Sequence, residues 1–347
     1  MMQLDRIGGS VVKILILLAL TTMLAGGGAS YILLSGERDG APHSVLIERG
    51  KSAGTIAELL AAEGVISHPK LFRFALRLTE GDKRIRAGEF QFRKNMRALD
   101  AMNILYYSEP LLHAITIPEG WNIRQIAAGL ARARLADEQK FLSIAQSKIA
   151  AEKHGFNAPH LEGFLFPTTY QFSRIDGEGR IIEQMVGQFK KAVEKGLDQE
   201  AAAQGYTLEQ ILTLASIIEK ETGDASEREL VSSVFHNRLK KRMRLQSDPT
   251  TIYGIDNFNG NLTKEDLRRY SPYNTYVIFG LPPGPIANPG VASIRAALNP
   301  ANTDYLYFVS NNQGKHIFSR DYRQHSRNVT NTQGRLKRPQ TRSRKRR

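Results

Sequence analysis

Residues Leu208–Leu239 read LEQILTLASIIEKETGDASERELVSSVFHNRL. At helical spacing from Leu208, the apolar stripe takes in Ile211, Leu212, Ala215 and Ile218, then runs onto Glu219 and Thr222. Lys220 and Glu221 fall off that stripe and are free to face water. Two readings compete for Glu219. It is either a stripe-edge glutamate that snorkels or finds an ion pair at the surface, or a carboxyl held against an apolar surface for a purpose. In the second case it loses solvation of its charged form and keeps its proton near neutrality. A protonated carboxyl is what a general acid needs to cleave a glycosidic bond. A capping box, Ser226 with Glu229, opens the next helix, LVSSVFHNRL.

Upstream, residues 44–115 form a small α+β module. SVLIERG reads as a strand, TIAELLAAEGVI and HPKLFRFALRL as helices, AGEFQF as a half-exposed strand, RALDAMNILYYSE as a helix and LLHAITIPEG as a strand. Residues 120–205 are mostly helical, in NIRQIAAGLARARL, EQKFLSIAQSKIAAEKH and RIIEQMVGQFKKAVEKGLDQEAAAQ. Between them LEGFLFPTTYQF sets four aromatics around a proline, beside the acid Glu162. That segment is either a core loop pinned by Phe164 and Phe166 or the wall of a carbohydrate groove. Beyond Met243 the loops are dense in Pro, Gly, Asn and Tyr, as loops that carry function often are. VASIRAALNP is a helix there, and DYLYFVSN with KHIFS a hairpin.

The two ends differ from this body. Ile14–Leu34 is free of charge for 21 residues, about 30 Å as a helix, the thickness of a bilayer's hydrocarbon. A cleaved signal peptide competes with an uncleaved anchor, but the apolar run continues past the small residues Ala25–Ser30. Arg6 and Lys13 before it, with Glu37, Arg38 and Asp39 after, place the N-terminus in the cytoplasm and the rest outside. At the other end, residues 335–347 carry eight Lys/Arg and no acid. Without them the net charge falls from +14 by those eight to +6. The tail is a solvated charge run, and nonspecific contact with anions rests on it alone. The 347 residues, 41% apolar, suffice for two domains.

Zero cysteines excludes disulfides, thiolate metal sites and cysteine nucleophiles. The histidines form no HExxH pair, no GxSxG elbow or P-loop is present, and the prolines of GLPPGPIANPG remove amide donors. No metal or cofactor is expected. Carboxylate chemistry remains. A hydrolase needs a second carboxylate, and the nominated loop acids are Asp248 and Glu162. Asp248, in Asp-Pro, reads equally as a residue capping its own turn.

ASIIEKET, ASER and VFHNRL, followed by LQSDPTTIYG, YNTY, GLPPGPIANPG and LYFV, resemble the YceG-like family of endolytic murein transglycosylases. The likeness spans most of 44–327, is densest over 208–310, and includes LEGFLFPTTY. It implies an α+β protein with a transmembrane anchor in 1–35, a LysM-like module at 44–115 and a catalytic domain at 116–334, whereas the basic tail at 335–347 is not part of the family pattern. It further implies a lyase that cuts the β-1,4 bond between N-acetylmuramic acid and N-acetylglucosamine, leaving a 1,6-anhydro end. Glu219, the first glutamate of EKET, would protonate the leaving oxygen and then accept the proton of the sugar's own 6-hydroxyl. Gln246, Ser247, Asp248, Thr250, Tyr273, Asn274 and Tyr276 would line the cleft with Glu162, while Arg238 competes as an ion-pair partner. The implied partners are peptidoglycan strands, the plasma membrane (inner membrane, catalytic domain outside) and peptidoglycan synthases, with no specific nucleic acid. A non-catalytic wall anchor and a hydrolase of the same bond are the competing functions.

Overall fold

The computed structural model describes residues 27–28, 39–78, 84–193 and 196–333. Apart from Gly27 and Gly28, the expected anchor Ile14–Leu34 lies outside these, as does the basic tail at 335–347. Among the described residues no helix is long and apolar enough to cross a membrane. The fold is mixed α+β. The chain divides into two compact units, Met1–His113 with Gln171–Asp176, and Ala114–Tyr170 with Gly177–Arg347.

In the first unit, β1 (Asp39–Ile47) pairs antiparallel with β2 (Gly88–Lys94), Val45 opposite Phe90 and Ile47 opposite Gly88. Alternation puts Val45, Ile47, Phe90 and Phe92 on one face. Leu60 of α1 (Ala53–Ala62), Phe72 and Leu76 of α2 (Pro69–Leu78) and Leu105 of α3 (Ala98–Tyr107) share a buried cluster with that face. Ser52 starts α1 by accepting the Thr55 amide. Glu89, 2% exposed, is matched by His113 at 2.6 Å and Arg174 at 3.3 Å, as a buried carboxylate must be.

The second unit is largely helical. β3 (His113–Thr116) leads into it, and Ile117 takes the Thr168 carbonyl just before β4 (Thr169–Phe172). Asn122 and Gln125 form a capping box at the start of α4 (Ile123–Arg132). Two stretches that read as continuous helices are broken. EQKFLSIAQSKIAAEKH splits into α5 (Glu138–Ala145) and α6 (Lys148–Lys153), and the next into α7 (Gly177–Ala192) and α8 (Leu197–Ala203). Gly196, at φ 111°, takes a backbone conformation that side chains resist, and it caps α8.

The central element is α9 (Leu208–Glu221), which packs against α8, α10 (Arg228–Lys240), α11 (Asp248–Tyr253) and α12 (Val291–Leu298). It begins in a capping box of Thr207 with Gln210. Every residue from Ile211 to Ile218 is buried, Thr213, Ser216 and Ile217 included. The one-sided stripe read from the sequence is therefore replaced by a helix enclosed all round in its middle turns. Its buried hydroxyls are satisfied: Ser216 donates to the Thr213 carbonyl and accepts the Ile286 amide at 3.0 Å.

The Ser226–Glu229 capping box does not form. Asp224 instead caps a short 3-10 turn, Ala225–Glu227, by accepting the Ser226 amide and hydroxyl, and α10 follows directly. LEGFLFPTTYQF is core in part: Phe164 and Phe172 are fully buried and Phe164 stacks on Phe156 at 4.0 Å, whereas Phe166 is half-buried. Gly163, at φ 89°, has Pro285 so close that a Cβ would fall 2.6 Å from it. β5 (Tyr307–Ser310) and β6 (His316–Ser319) form the expected hairpin. α13 (Tyr322–Gln333), which the sequence reading left out, closes the described chain.

Candidate active site

Glu219 lies in the last turn of α9, where the enclosed helix emerges. Its side chain is 8% exposed. Oε2 accepts the backbone N–H of Gly290 at 3.0 Å, and Oε1 lies 3.7 Å from Nη2 of Arg228. Gly290 is the N-cap of α12, so the carboxylate meets the positive end of a helix. Arg228 is the first residue of α10 and donates from Nε to Ser293 Oγ at 3.1 Å, which orients its guanidinium. The surroundings of Glu219 are thus polar, not the apolar packing that the sequence reading expected.

A second carboxylate stands here that sequence reasoning missed. Glu119, in the Pro118–Gly120 turn after β3, reaches within 4.0 Å of the same Arg228 Nη2. Burial pushes its carboxyl above the ordinary range, the charge of Glu219 pushes it further, and Arg228 opposes both. A Cβ on Gly290 would meet the Glu119 carboxylate and push that half-exposed side chain aside. The signal in the sequence was slight: an acid between Pro and Gly reads as an ordinary turn.

The turn that carries Glu119 is fixed by Asn288, also missed. Asn288 and Gly120 and Trp121 exchange backbone bonds of 2.9 Å, Gly120 N–H to Asn288 O and Asn288 N–H to Trp121 O. Its side chain accepts the Gly163 and Leu165 amides and donates to Trp121 O and Glu162 Oε1, each at 2.9 Å. Glu162 is 1% exposed and also accepts the Ile123 amide at 3.0 Å and the Tyr253 hydroxyl at 3.1 Å. Burial raises its carboxyl to about 8 despite those donors. Enclosed and fully bonded to protein, Glu162 positions the start of α4, not a sugar.

The QSDPT and YNTY loops meet across hydrogen bonds. Ser247 donates to Glu221 Oε1 at 2.6 Å, its amide bonds Thr275 Oγ1, and Thr250 Oγ1 lies 2.8 Å from that same oxygen. Burial lifts the Glu221 carboxyl to about 7, with Ser247 pulling the other way. Glu221 is half-buried, with one carboxyl oxygen held by Ser247. Asn274, fully buried, accepts from Thr251 and donates to the carbonyls of Asp266, Leu267 and Arg269. Ser247, Thr250 and Asn274 therefore hold the loops together. Gln246 and Asp248 are exposed, and Tyr273 and Tyr276 half-buried. Tyr276 donates to Asp248 at 2.6 Å, while Tyr273 bonds His160 and packs on Tyr253. Arg238 donates to the carbonyls of Leu245 and Leu306 at 2.6 and 2.7 Å and caps the Tyr307 ring, so it clamps backbone and not an acid.

A groove of about 710 Å³ is lined by Gly120, Asn122, Arg124, Lys220, Tyr253 and Phe258 among others, with neither Glu219 nor Glu119 in its lining. Gly120 and Lys220 of that lining adjoin the two carboxylates in sequence, and a Cβ on Gly120 would fall 3.5 Å from Glu219 Cγ.

The YceG-like family matches residues 45–331. The chain belongs to the YceG-like family. A relative from Bacillus subtilis named endolytic murein transglycosylase is 35% identical, aligned over 82% of this chain and 83% of its own length. One of the same name from Streptococcus pneumoniae is 30% identical over 92% of this chain, which spans 64% of that longer protein. A crystal structure of a yceG-like protein from Listeria monocytogenes superposes with a TM-score of 0.58 at 31% identity, over 82% of this chain and 98% of that one. The YceG-like match takes in both units and every residue of the Glu219 site.

Proposed function

We propose that this YceG-like protein is an endolytic murein transglycosylase, a lyase that cleaves peptidoglycan glycan strands without water. The reading rests on one observation above the others: a carboxylate 8% exposed at the end of an enclosed helix, bonded to the Gly290 amide and 3.7 Å from the Arg228 guanidinium. Glu219 protonates the oxygen leaving the muramic acid's anomeric carbon, and the Gly290 amide and Arg228 stabilise the carboxylate left behind. The 6-hydroxyl of that sugar then bonds to the same carbon and gives its proton back to Glu219. Exposed Asp248 and Gln246, with the half-buried tyrosines 273 and 276, supply groups for binding N-acetylated sugars, and the enclosed Ser247, Thr250, Asn274 and Glu162 hold them in place.

Residues 44–115 act as the LysM-like module that holds glycan, 116–334 as the catalytic domain, and Ile14–Leu34 as the membrane anchor that puts both outside the cytoplasm. Synthases of the same polymer are the natural protein partners, because an endolytic cut ends a growing strand.

Digestion of purified sacculi tests this. The wild type should release anhydro ends and Glu219→Gln should release none while still binding. Equal release by the variant removes Glu219 from the chemistry.

Glu119 favours a second reading, hydrolysis of the same bond, which needs two carboxylates. Product mass decides, since a hydrolysed end is about 18 Da heavier than an anhydro end.

A further inference from the structure

Asp321 is the last acid of the chain. Between Tyr322 and Arg347 stand ten Lys/Arg and no Asp or Glu. Two of the ten, Arg323 and Arg327, lie one turn apart on α13, and the other eight follow in 335–347. Helical spacing turns Arg323, Ser326, Arg327 and Thr330 to solvent, while His325, Asn328, Val329 and Thr332 are half-buried on the other side. Asp321 is engaged at the start of the helix, where its Oδ1 accepts the Gln324 amide at 2.9 Å. Among the described residues neither Arg323 nor Arg327 forms an ion pair. Tyr322 opens the helix 69% exposed, its ring edge-on to Tyr307 with centroids 6.1 Å apart. The face thus offers two unneutralised cations beside an exposed aromatic, and leads directly into eight further cations. The YceG-like match ends at residue 331, so most of this charge lies outside what the family shares.

We propose that the exposed face of α13, together with the basic segment after it, docks on an anionic phospholipid surface and gives the chain a second hold on the bilayer. This rests on the reading of Ile14–Leu34 as a membrane anchor, and not on the chemistry at Glu219. Each cation close to such a surface strengthens the contact by roughly five-fold, within a screening distance of about 8 Å at physiological salt. A chain already tethered to the bilayer meets it at millimolar effective concentration, so contacts that are weak singly become populated. The composition favours lipid over nucleic acid. Residues 335–347 contain no aromatic side chain, whereas binders of single-stranded nucleic acid interleave aromatics with their cations. They hold one large aliphatic residue, Leu336, so the segment lies on headgroups and does not enter hydrocarbon. The one exposed aromatic, Tyr322, stands at the head of the helix, and tyrosine suits the level of the headgroups.

The chain has no cysteine, so Thr330→Cys on the exposed face of α13 takes a single fluorophore. The full chain is placed in nanodiscs of phosphatidylcholine, alone or with about one-third phosphatidylglycerol, each containing headgroup spin labels that quench nearby fluorescence. At about 50 mM salt, quenching should be at least about three-fold greater in the anionic discs, and at about 0.5 M salt it should fall to the neutral level. Arg323→Gln combined with Arg327→Gln should remove about half of the difference or more, and loss of 335–347 most of it, while cleavage of free glycan strands stays unchanged in both. Equal quenching in the two kinds of disc, or full quenching in the double variant, overturns the proposal. Release of the labelled face by an equimolar DNA duplex overturns it in favour of a nucleic-acid surface. A full chain that does not enter the discs removes the anchor reading and this proposal with it, and leaves the role of Glu219 standing.

Discussion

Asn288 donates a 2.9 Å hydrogen bond to Glu162, 126 residues earlier in the chain. Through it the loop before α12 is joined to the loop before β4 and to the first amide of α4. Neither side chain needs to meet a sugar to matter. They hold the turn on which Glu119 stands.

Replacing Asn288 by Ala should therefore be costly. The Gly163 and Leu165 amides would lose their acceptor inside the protein, and each orphaned buried group costs about 1–3 kcal/mol. Roughly 3–5 kcal/mol of destabilisation in urea unfolding, with a drop in cleavage rate, is the expected outcome. A variant as stable as the wild type would show that the network is dispensable.

Gly290→Ala isolates the geometry of the acid pair. The backbone at Gly290 is extended, φ −75° and ψ 166°, so alanine fits the chain without strain. Its methyl group would instead displace the Glu119 carboxylate. The melting temperature should stay within a few degrees of the wild type while kcat falls by about tenfold or more. Undiminished turnover would mean that the Glu119 position is irrelevant to the reaction.

Two buried carboxyls contribute stability that falls as pH rises from weakly acidic to weakly alkaline. Glu162 and Glu221 stand at about 8 and about 7 in the folded protein, against 4.5 ordinarily. Across that window the native state binds protons the unfolded chain has released, so protonation favours folding. This contribution is complete below the unfolded value and is lost as pH climbs through the folded ones. His154, His160, His236 and His325, each lowered by burial, contribute the opposite slope, so the test compares wild type with Glu162→Gln. The wild-type midpoint relative to the variant should fall by a few degrees between about pH 5 and pH 8.5 in calorimetry. A difference that does not change with pH would contradict the protonation of Glu162.

Asp248 separates sugar binding from catalysis. It is exposed, and its Oδ1 accepts the Tyr276 hydroxyl, a role asparagine can keep. Asp248→Asn should stay within about 0.5 kcal/mol of wild-type stability and raise KM several-fold at nearly constant kcat. A collapse of kcat would instead make Asp248 a reacting carboxylate.

Much of this protein was legible in one dimension. Local pattern decides strands such as β1 and β2 and the long helices, because apolar periodicity and capping residues act within a few residues of one another. Glu219 could be singled out for the same reason: a charged residue interrupts a run that is otherwise apolar. The break after Ala145 was hard to read because helical propensity continues across it, whereas the one after Ala192 was signalled by Gly196 and passed over. The buried face of α9 was misjudged because the sequence records a residue's own polarity and not what surrounds it. Ser216 and Thr213 can be enclosed once their hydroxyls find carbonyls of the preceding turn. Only the tertiary fold brings Glu119, Arg228 and Gly290 to Glu219 across as many as 171 positions of chain, and only there does an acid in a proline-glycine turn become half of a pair. Charge interactions depend on distances in space, and nothing in the linear order between residues 119 and 219 encodes theirs.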